Sequence, residues 1–488
     1  EPLLESACDL YEEAPDHYFK FLAENTWGMS VDAMMELYRA LFLGLLRYSL
    51  PVLSNTCKTN FLVLQAVQAQ ALRVCLSLPR CTLTEATIAI AGDYPIQTHI
   101  VVEVLRTHIR NFARAPCHHL ALLPSERRQA SIAKMIVKYN DKLPSSFTPA
   151  SKPSIPPWCL IRPTVRVSVP GIRRKSELSS PVLKQLSLLL LHEKYLYSTH
   201  VYTDGSTNHQ CSSGAVVVPA RGVTISFRTD HSTASTAAEL AALHAALCVV
   251  NREPPQQWSI FSNSRAALQS VLSALRRRPY EQLVFEIRCL LHTSHEKGHH
   301  VTFQWLPSHC GVIGNEHADT AARAALEGTR EEAIPLSRID AASNLRRLAR
   351  EITFSLWCPP SIDTNRQHHL SSLMAVRMPT GLDRREATLL HRLWLKVAFT
   401  KSYLFVIGIA DNALCDACCC EETLHHILCD CPLYDAQRQS LASILTRIDN
   451  IQMSVDTILS SSREKTLQQL ATKALLKFLR DTDLNKRL

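Results

Sequence analysis

Between residues 199 and 327 short β-rich runs alternate with helical ones in a fixed order, and that order restricts the fold more than any other feature of the chain. The pattern predicts strands at 199–204, 214–218, 223–228, 258–262 and 300–305. Helices are predicted at 235–250, 264–276, 281–296 and 314–327. Three consecutive strands, a helix, a strand, two helices, a strand and a closing helix imply an α/β domain, a five-stranded mixed sheet flanked by helices.

Three carboxylates fall at comparable places in this order. Val201-Tyr202-Thr203-Asp204-Gly205-Ser206 puts Asp204 at the carboxyl edge of the first strand, followed by small residues that leave room for a phosphate backbone. Taken alone, an aspartate before a glycine is equally well a turn residue. Glu239 lies in Ser235-Thr236-Ala237-Ala238-Glu239-Leu240, near the start of an alanine-rich helix, where an acid also suits the helix dipole. Gly314-Asn315-Glu316-His317-Ala318-Asp319 opens the last helix, with Asn315 as the expected N-cap and Asp319 about one turn inside. Just upstream, Trp305-Leu306-Pro307-Ser308-His309-Cys310-Gly311 carries His309 into a loop, where an imidazole can relay a proton or help product and metal leave. Trp305 reads as a packing residue.

A strand ending in TDGS, a helix carrying AAEL, a strand ending before SRAAL, then WLPSHCG and GNEHAD together resemble the ribonuclease H family. The resemblance implies an endonucleolytic hydrolase that cuts the RNA strand of RNA–DNA hybrids with two Mg2+ (or Mn2+) ions, one activating a water and one stabilising the leaving oxygen. It assigns Asp204, Glu239 and Asp319 as metal ligands, His309 as the mobile histidine, and Ser206 and Asn315 as nucleic-acid contacts. The fourth acidic place departs from the family pattern. Phe261-Ser262-Asn263-Ser264 stands where the family has Phe-Ser-Asp-Ser, so the catalytic position is an amide. Asn263 keeps the shape of aspartate without its charge, which is expected to weaken metal occupancy and hydrolysis while hybrid binding survives. A catalytically inactive nucleic-acid-binding module of the same fold is therefore the alternative. An integrase or transposase would share the sheet, but the placement of the acids in AAEL and GNEHAD argues against it.

Length and composition give the wider organisation. A chain of 488 residues exceeds one ordinary core, and 46% hydrophobic residues support several. With only 13 glycines, a helix-rich protein is expected. Residues 1–142 read as a helical region, 143–195 as a Pro/Ser-rich linker ending in the basic run Arg173-Arg174-Lys175, 196–329 as the α/β domain, and 330–488 as a second helical region. The formal charge of +9 is compatible with phosphate-bearing partners. No apolar run approaches the roughly 20 residues of a membrane span, so no membrane association is expected.

Of 17 cysteines, six crowd between Cys415 and Cys431. Cys415, Cys418, His426 and Cys431 form a C-x2-C-x7-H-x4-C pattern that supplies three thiolates and an imidazole for Zn2+, with Cys419, Cys420, His425 and Cys429 close by as competitors. Free thiols on a helical hairpin, or a zinc-dependent interaction scaffold, are the plainer readings. The flanking Glu422-Thr423-Leu424 and Cys431-Pro432-Leu433-Tyr434 resemble the CCHC zinc-knuckle-like tail, 415–431, of non-LTR retrotransposon proteins. Arg384, Arg385, Arg392 and Lys396 are candidate phosphate contacts beside it. In the amino-terminal region, Leu46-Arg47-Tyr48-Ser49-Leu50-Pro51, Gln65–Arg73, Leu76–Arg80 and Ala91–Ile96 resemble the segment after a reverse transcriptase palm, and Arg73, Arg80 and Arg106 would lie on its helix faces. The order implies the C-terminal part of a non-LTR retrotransposon polyprotein of the arthropod type. Chain start at Glu1 and the absence of adjacent palm aspartates before residue 150 suggest a fragment with its palm upstream, unable to polymerise. The resemblance to elements that copy themselves at chromosomal DNA implies an intracellular protein, nuclear or cytoplasmic.

Overall fold

The computed structural model describes residues 21–23, 28–53, 58–114, 131–139, 142, 155–208, 211–273, 281–328, 330–358, 364–379, 381–449, 453–460 and 464–488. Residues 143–154 of the expected linker and 274–276 of the second expected helix lie outside them. The chain divides into two compact units, Leu105–Leu348 on the one hand and Glu1–Val104 with Ala349–Leu488 on the other.

The α/β unit is built on a seven-stranded mixed sheet in the order β1-β6-β5-β2-β3-β4-β7. The strands are β1 (Thr164–Arg166), β2 (Thr199–Thr207), β3 (Ser212–Val218), β4 (Val223–Thr229), β5 (Gln257–Ser262), β6 (His300–Trp305) and β7 (Glu331–Glu332). β2, β3 and β4 form an antiparallel meander, and β5 and β6 continue the sheet in parallel beyond β2. All five expected strands are present. The sheet is larger than expected because β1 joins β6 and β7 joins β4 at the two edges. Strands of three and two residues are too short to show an alternating pattern, so sequence periodicity does not reveal them.

Five helices matter for the site: α1 (Ser180–Tyr195), α2 (Ser235–Val250), α3 (Arg265–Leu272), α4 (Glu281–Glu296) and α5 (Ile313–Ala325). Every residue of β3 is buried, as expected of a strand covered on both faces. The alanines of α2 keep it thin enough to lie on β2 and β3 while Leu240, Leu243 and Leu247 enter the core. Two glycines set the approach of the helices that carry acids. A Cβ on Gly205 would stand 2.5 Å from the backbone nitrogen of Glu239, and one on Gly314 would stand 2.3 Å from the ring of Tyr202. Tyr202 and Gly205 are three residues apart on a regularly paired strand, so α2 and α5 grip β2 from opposite faces.

Part of the stretch read as a linker belongs to this unit. Its described residues supply β1 and α1, and Leu183, Leu190, Leu191 and Tyr195 of α1 join the core of the sheet. The Tyr195 hydroxyl donates to Gln304 on β6 at 2.8 Å. The unit also extends past 329. Helix α2 has Ala234 as its N-cap, a residue whose side chain cannot cap it, and Asp340 accepts the Ala234 N–H at 2.7 Å while Ser337 donates to the other oxygen of Asp340 at 2.6 Å.

In the helical unit, segments from the two ends of the chain pack together. Arg384 is buried and donates to the Met29 and Val74 carbonyls at 2.7 and 3.3 Å and to the Ser77 hydroxyl at 2.7 Å. It is therefore a structural clamp rather than a phosphate contact. Arg392 is similarly engaged, with Ser77 O at 3.3 Å and the Phe399 ring 4.2 Å below its guanidinium. Lys396 pairs with Asp456 at 3.4 Å, and Arg73 donates to Thr82 O at 2.6 Å. Among the described residues, no helix is long and apolar enough to cross a membrane.

Candidate active site

Asp204 lies within β2 opposite Ala215, three residues before the strand ends at Thr207, and is 3% exposed. The strand runs on to Thr207, further than the sequence pattern indicated. Because Gly205 has no side chain, the backbone of α2 touches β2 at Ala238–Glu239, and Glu239 arrives beside Asp204, buried and bonded to the Gly205 backbone N–H. The Ser262 hydroxyl at the end of β5 donates to Glu239 Oε2 at 3.4 Å.

Asn263 follows β5, next to Ser262. Its side-chain Nδ2 donates to Asp204 Oδ1, and its own carbonyl accepts from Trp305 Nε1 at 3.0 Å. Trp305 is thus more than packing, since it fixes the backbone that aims Asn263. Asp319 comes from α5 and completes the group. It pairs with Arg323 at 2.9 Å, lies 3.8 Å from His309 Nδ1, and shares a hydrogen bond with Asp204.

The electrostatics follow from burying like charges together. Burial, then the facing Asp319, push Asp204 up to about 7, against the opposing pull of the Asn263 amide and Arg323. Burial, then Asp204, push Glu239 well above the ordinary carboxylate range, while Ser262 and the Gly205 N–H oppose. Three acids held in one place at this cost are a donor set suited to hard divalent cations, whose charge would reverse both shifts. The residues present therefore fit the metals that the sequence resemblance implies, with the Asn263 oxygen as a neutral fourth donor.

Residues 197–327 match the RNase H family model. This chain contains an RNase H domain. No curated protein matches the chain.

The RNase H domain also holds features that sequence reasoning missed. Glu316 lies one turn before Asp319 on α5, and His309, Glu316 and Asp319 offer ligand atoms within 4.8 Å of one another. Asp204 and Glu239 are not members of that group and meet Asp319 through the contacts described above. Glu316 accepts the Gly311 N–H at 3.0 Å, which ties the His309 loop to the helix, and both His309 and Gly311 take left-handed backbone angles, φ 53° and 84°. The three-residue spacing of Glu316 and Asp319 was the available signal, because residues three apart share a helix face. Asn315 is not the N-cap: α5 starts at Ile313 after Val312, and Asn315 is 2% exposed, which leaves it no surface for nucleic acid. Ser206 is half-buried, and its carbonyl accepts from Ser213 Oγ at 3.4 Å.

In the helical unit, Cys415, Cys418, His426 and Cys431 converge with their ligand atoms within 4.8 Å of one another. Cys415 and Cys431 sulfurs are 3.9 Å apart and Cys418 Sγ is 3.2 Å from His426 Nε2. A zinc–thiolate tetrahedron with bonds near 2.3 Å has sulfur–sulfur edges of about 3.8 Å, so the spacing fits. The competing residues stand outside: Cys419 and Cys420 are exposed, and His425 pairs with Asp430 at 3.4 Å. Burial raises the Cys415 thiol, but the Ala417 N–H and His426 bring it down to about 7, toward the thiolate that a metal needs. Arg438 donates to the carbonyls of Cys431 and Leu428, bracing the turn that presents Cys431.

Proposed function

We propose that this chain is the ribonuclease H part of a non-LTR retrotransposon polyprotein, which binds RNA–DNA hybrids and hydrolyses their RNA strand at Asp204, Glu239 and Asp319, with activity lowered by Asn263. The observation that carries the reading is the meeting of three acids from β2, α2 and α5 inside the segment that matches the RNase H family. Two Mg2+ or Mn2+ ions would supply a water nucleophile at neutral pH and charge stabilisation at the leaving oxygen. The chain's own residues do the rest. Asp204, Glu239 and Asp319 would hold the ions, and Ser262 and the Gly205 N–H keep Glu239 oriented. His309, 58% exposed and next to Asp319, is placed to carry a proton between solvent and the site.

The second reading, a hybrid-binding module that no longer cuts, is favoured by one observation. The Asn263 amide donates to Asp204, so it stabilises the acid cluster without ions instead of adding charge to attract them. Cleavage of an RNA-labelled hybrid by the native chain and by Asn263→Asp, in magnesium and in manganese, separates the two. The nuclease reading expects Asn263→Asp to raise the rate by orders of magnitude, and equal rates, or none in either, would overturn it.

We also read the three thiols and imidazole at 415–431 as a zinc site within a knuckle-like tail. Elemental mass spectrometry of the purified chain should find one zinc, lost in Cys415→Ser; metal-free protein would count against it. By the same resemblance, a reverse transcriptase palm is the partner expected upstream, and action at chromosomal DNA would place the protein in the nucleus.

A further inference from the structure

The basic run Arg173-Arg174-Lys175 precedes the segment that matches the RNase H family, yet it does not trail away from the domain. Together with Arg265 and His309 it lines a cleft of about 630 Å³ that also takes in Ser180, the first residue of α1. Lys175 Nζ donates to Ser308 Oγ at 2.6 Å, which fastens the run to the loop bearing His309. Arg265, at the start of α3, has its guanidinium carbon over the Trp305 ring, 3.7 Å from the ring centre, and its buried Nε has no hydrogen-bond partner among the described residues. Across the loop, His309 stands 3.8 Å from Asp319.

We propose that Arg173, Arg174, Lys175 and Arg265 form a cleft for backbone phosphates of the nucleic-acid strand that enters the acidic site, so that the strand interface extends beyond the family-matched segment. This inference rests on the hybrid-nuclease reading and deepens it. Four cations face one space, and the acid paired there is Glu177, 3.6 Å from Arg174. Gathering cations in this way opposes folding unless an anion offsets the repulsion. The α1 N-terminus adds backbone N–H groups of the same polarity. A single small anion would occupy little of the cleft, whereas a strand places phosphates in succession, and His309 connects the cleft directly to Asp319. Arg265 supplies a rigid donor, because its stacking on Trp305 restricts its rotamers before the ligand arrives. Trp305 in turn holds Asn263, so the phosphate contact and the acid site share one support.

The test uses the full chain with a fluorescent RNA–DNA hybrid, in EDTA so that no cleavage occurs, and measures affinity against salt. Arg173→Gln/Arg174→Gln/Lys175→Gln should weaken binding at least about tenfold near 0.1 M salt and reduce the salt slope by about three. Arg173→Lys/Arg174→Lys should restore binding, which shows that charge rather than folding is at stake. A control pair at the opposite end of the sheet, Arg221→Gln/Arg252→Gln, should leave the slope unchanged. If the triple variant binds with native affinity and slope, the cleft is not a strand site. If inorganic phosphate at matched ionic strength displaces the hybrid, the cleft is a small-anion site and the inference fails. Cleavage by the Asn263→Asp chain, assayed in parallel, reports on the nuclease reading independently. A native chain that binds no hybrid overturns the inference together with that reading.

Discussion

Asn263→Asp should make the metal-free protein less stable and the magnesium-bound protein more stable. In the native chain the Asn263 amide donates a hydrogen bond to Asp204, an acid already pushed up to about 7 by burial and Asp319. The substitution removes that donor and adds a fourth carboxylate beside it. Loss of a hydrogen bond to a charged group costs roughly 1.5–3 kcal/mol. A new like charge near 4 Å adds up to about 4 kcal/mol at an effective dielectric of 20, less whatever the group avoids by staying protonated. A net loss of about 2–4 kcal/mol follows, and in a unit of this size it lowers Tm by roughly 4–15 °C. With magnesium the sign reverses, since the same carboxylate attracts the ion. The same energy as affinity is on the order of a hundredfold tighter binding, each 1.4 kcal/mol being about tenfold. Thermal unfolding in EDTA and across a magnesium titration measures both effects. The reasoning is refuted if the variant is as stable as the native chain in EDTA, or if magnesium raises its Tm no more than it raises the native Tm.

Other consequences concern the groups around that site. Asp204 is raised in the folded, metal-free chain, so its contribution to stability is complete below about pH 4, declines as pH rises and is gone above about pH 7. The loss is on the order of 4 kcal/mol; in EDTA, melting curves of the native chain and Asp204→Asn should diverge across that window, and parallel curves would contradict the shift. Gly314→Ala drives a methyl into the Tyr202 ring and should cost about 1–3 kcal/mol, read as a lower urea midpoint with little change in slope. Arg384→Met leaves the Met29, Val74 and Ser77 acceptors without their donor and should cost about 3 kcal/mol without changing hybrid affinity. Weaker hybrid binding at unchanged stability would return Arg384 to the role of a phosphate contact.

The α/β domain was legible because its information is local. Each of the five main strands is a short β-rich run set off by turn or helical residues, and Asp204, Glu239 and Asp319 each sit in a short motif whose order along the chain is distinctive. The seven-residue buried run of β3 and the alanine stripe of α2 announce contact with a sheet before any partner is known. What was not legible depends on partners distant in sequence. β1 and β7 are strands only because β6 and β4 offer edges, and α1 is part of the core only because β6 presents Gln304 to Tyr195. Arg384 looks like any solvated helix arginine until carbonyls more than 300 residues earlier close around it. Asn315 fits the composition of an N-cap, but packing of Gly314 on Tyr202 draws the first turn forward and buries it. Within the cysteine cluster, spacing nominated four ligands from a crowded field, and only the fold of the 411–422 turn, with its Leu414–Glu421 bridge, separates them from Cys419 and Cys420.

Anomalous scattering from manganese in crystals of the full chain with an RNA–DNA hybrid would show whether Asp204, Glu239 and Asp319 hold divalent ions against the RNA strand. Density is expected at direct coordination distance, about 2.0–2.4 Å, from Asp204 and from Glu239 or Asp319, with the RNA backbone against it. Manganese bound elsewhere while those three carboxylates stay bare, or a hybrid seated away from them, would contradict that assignment.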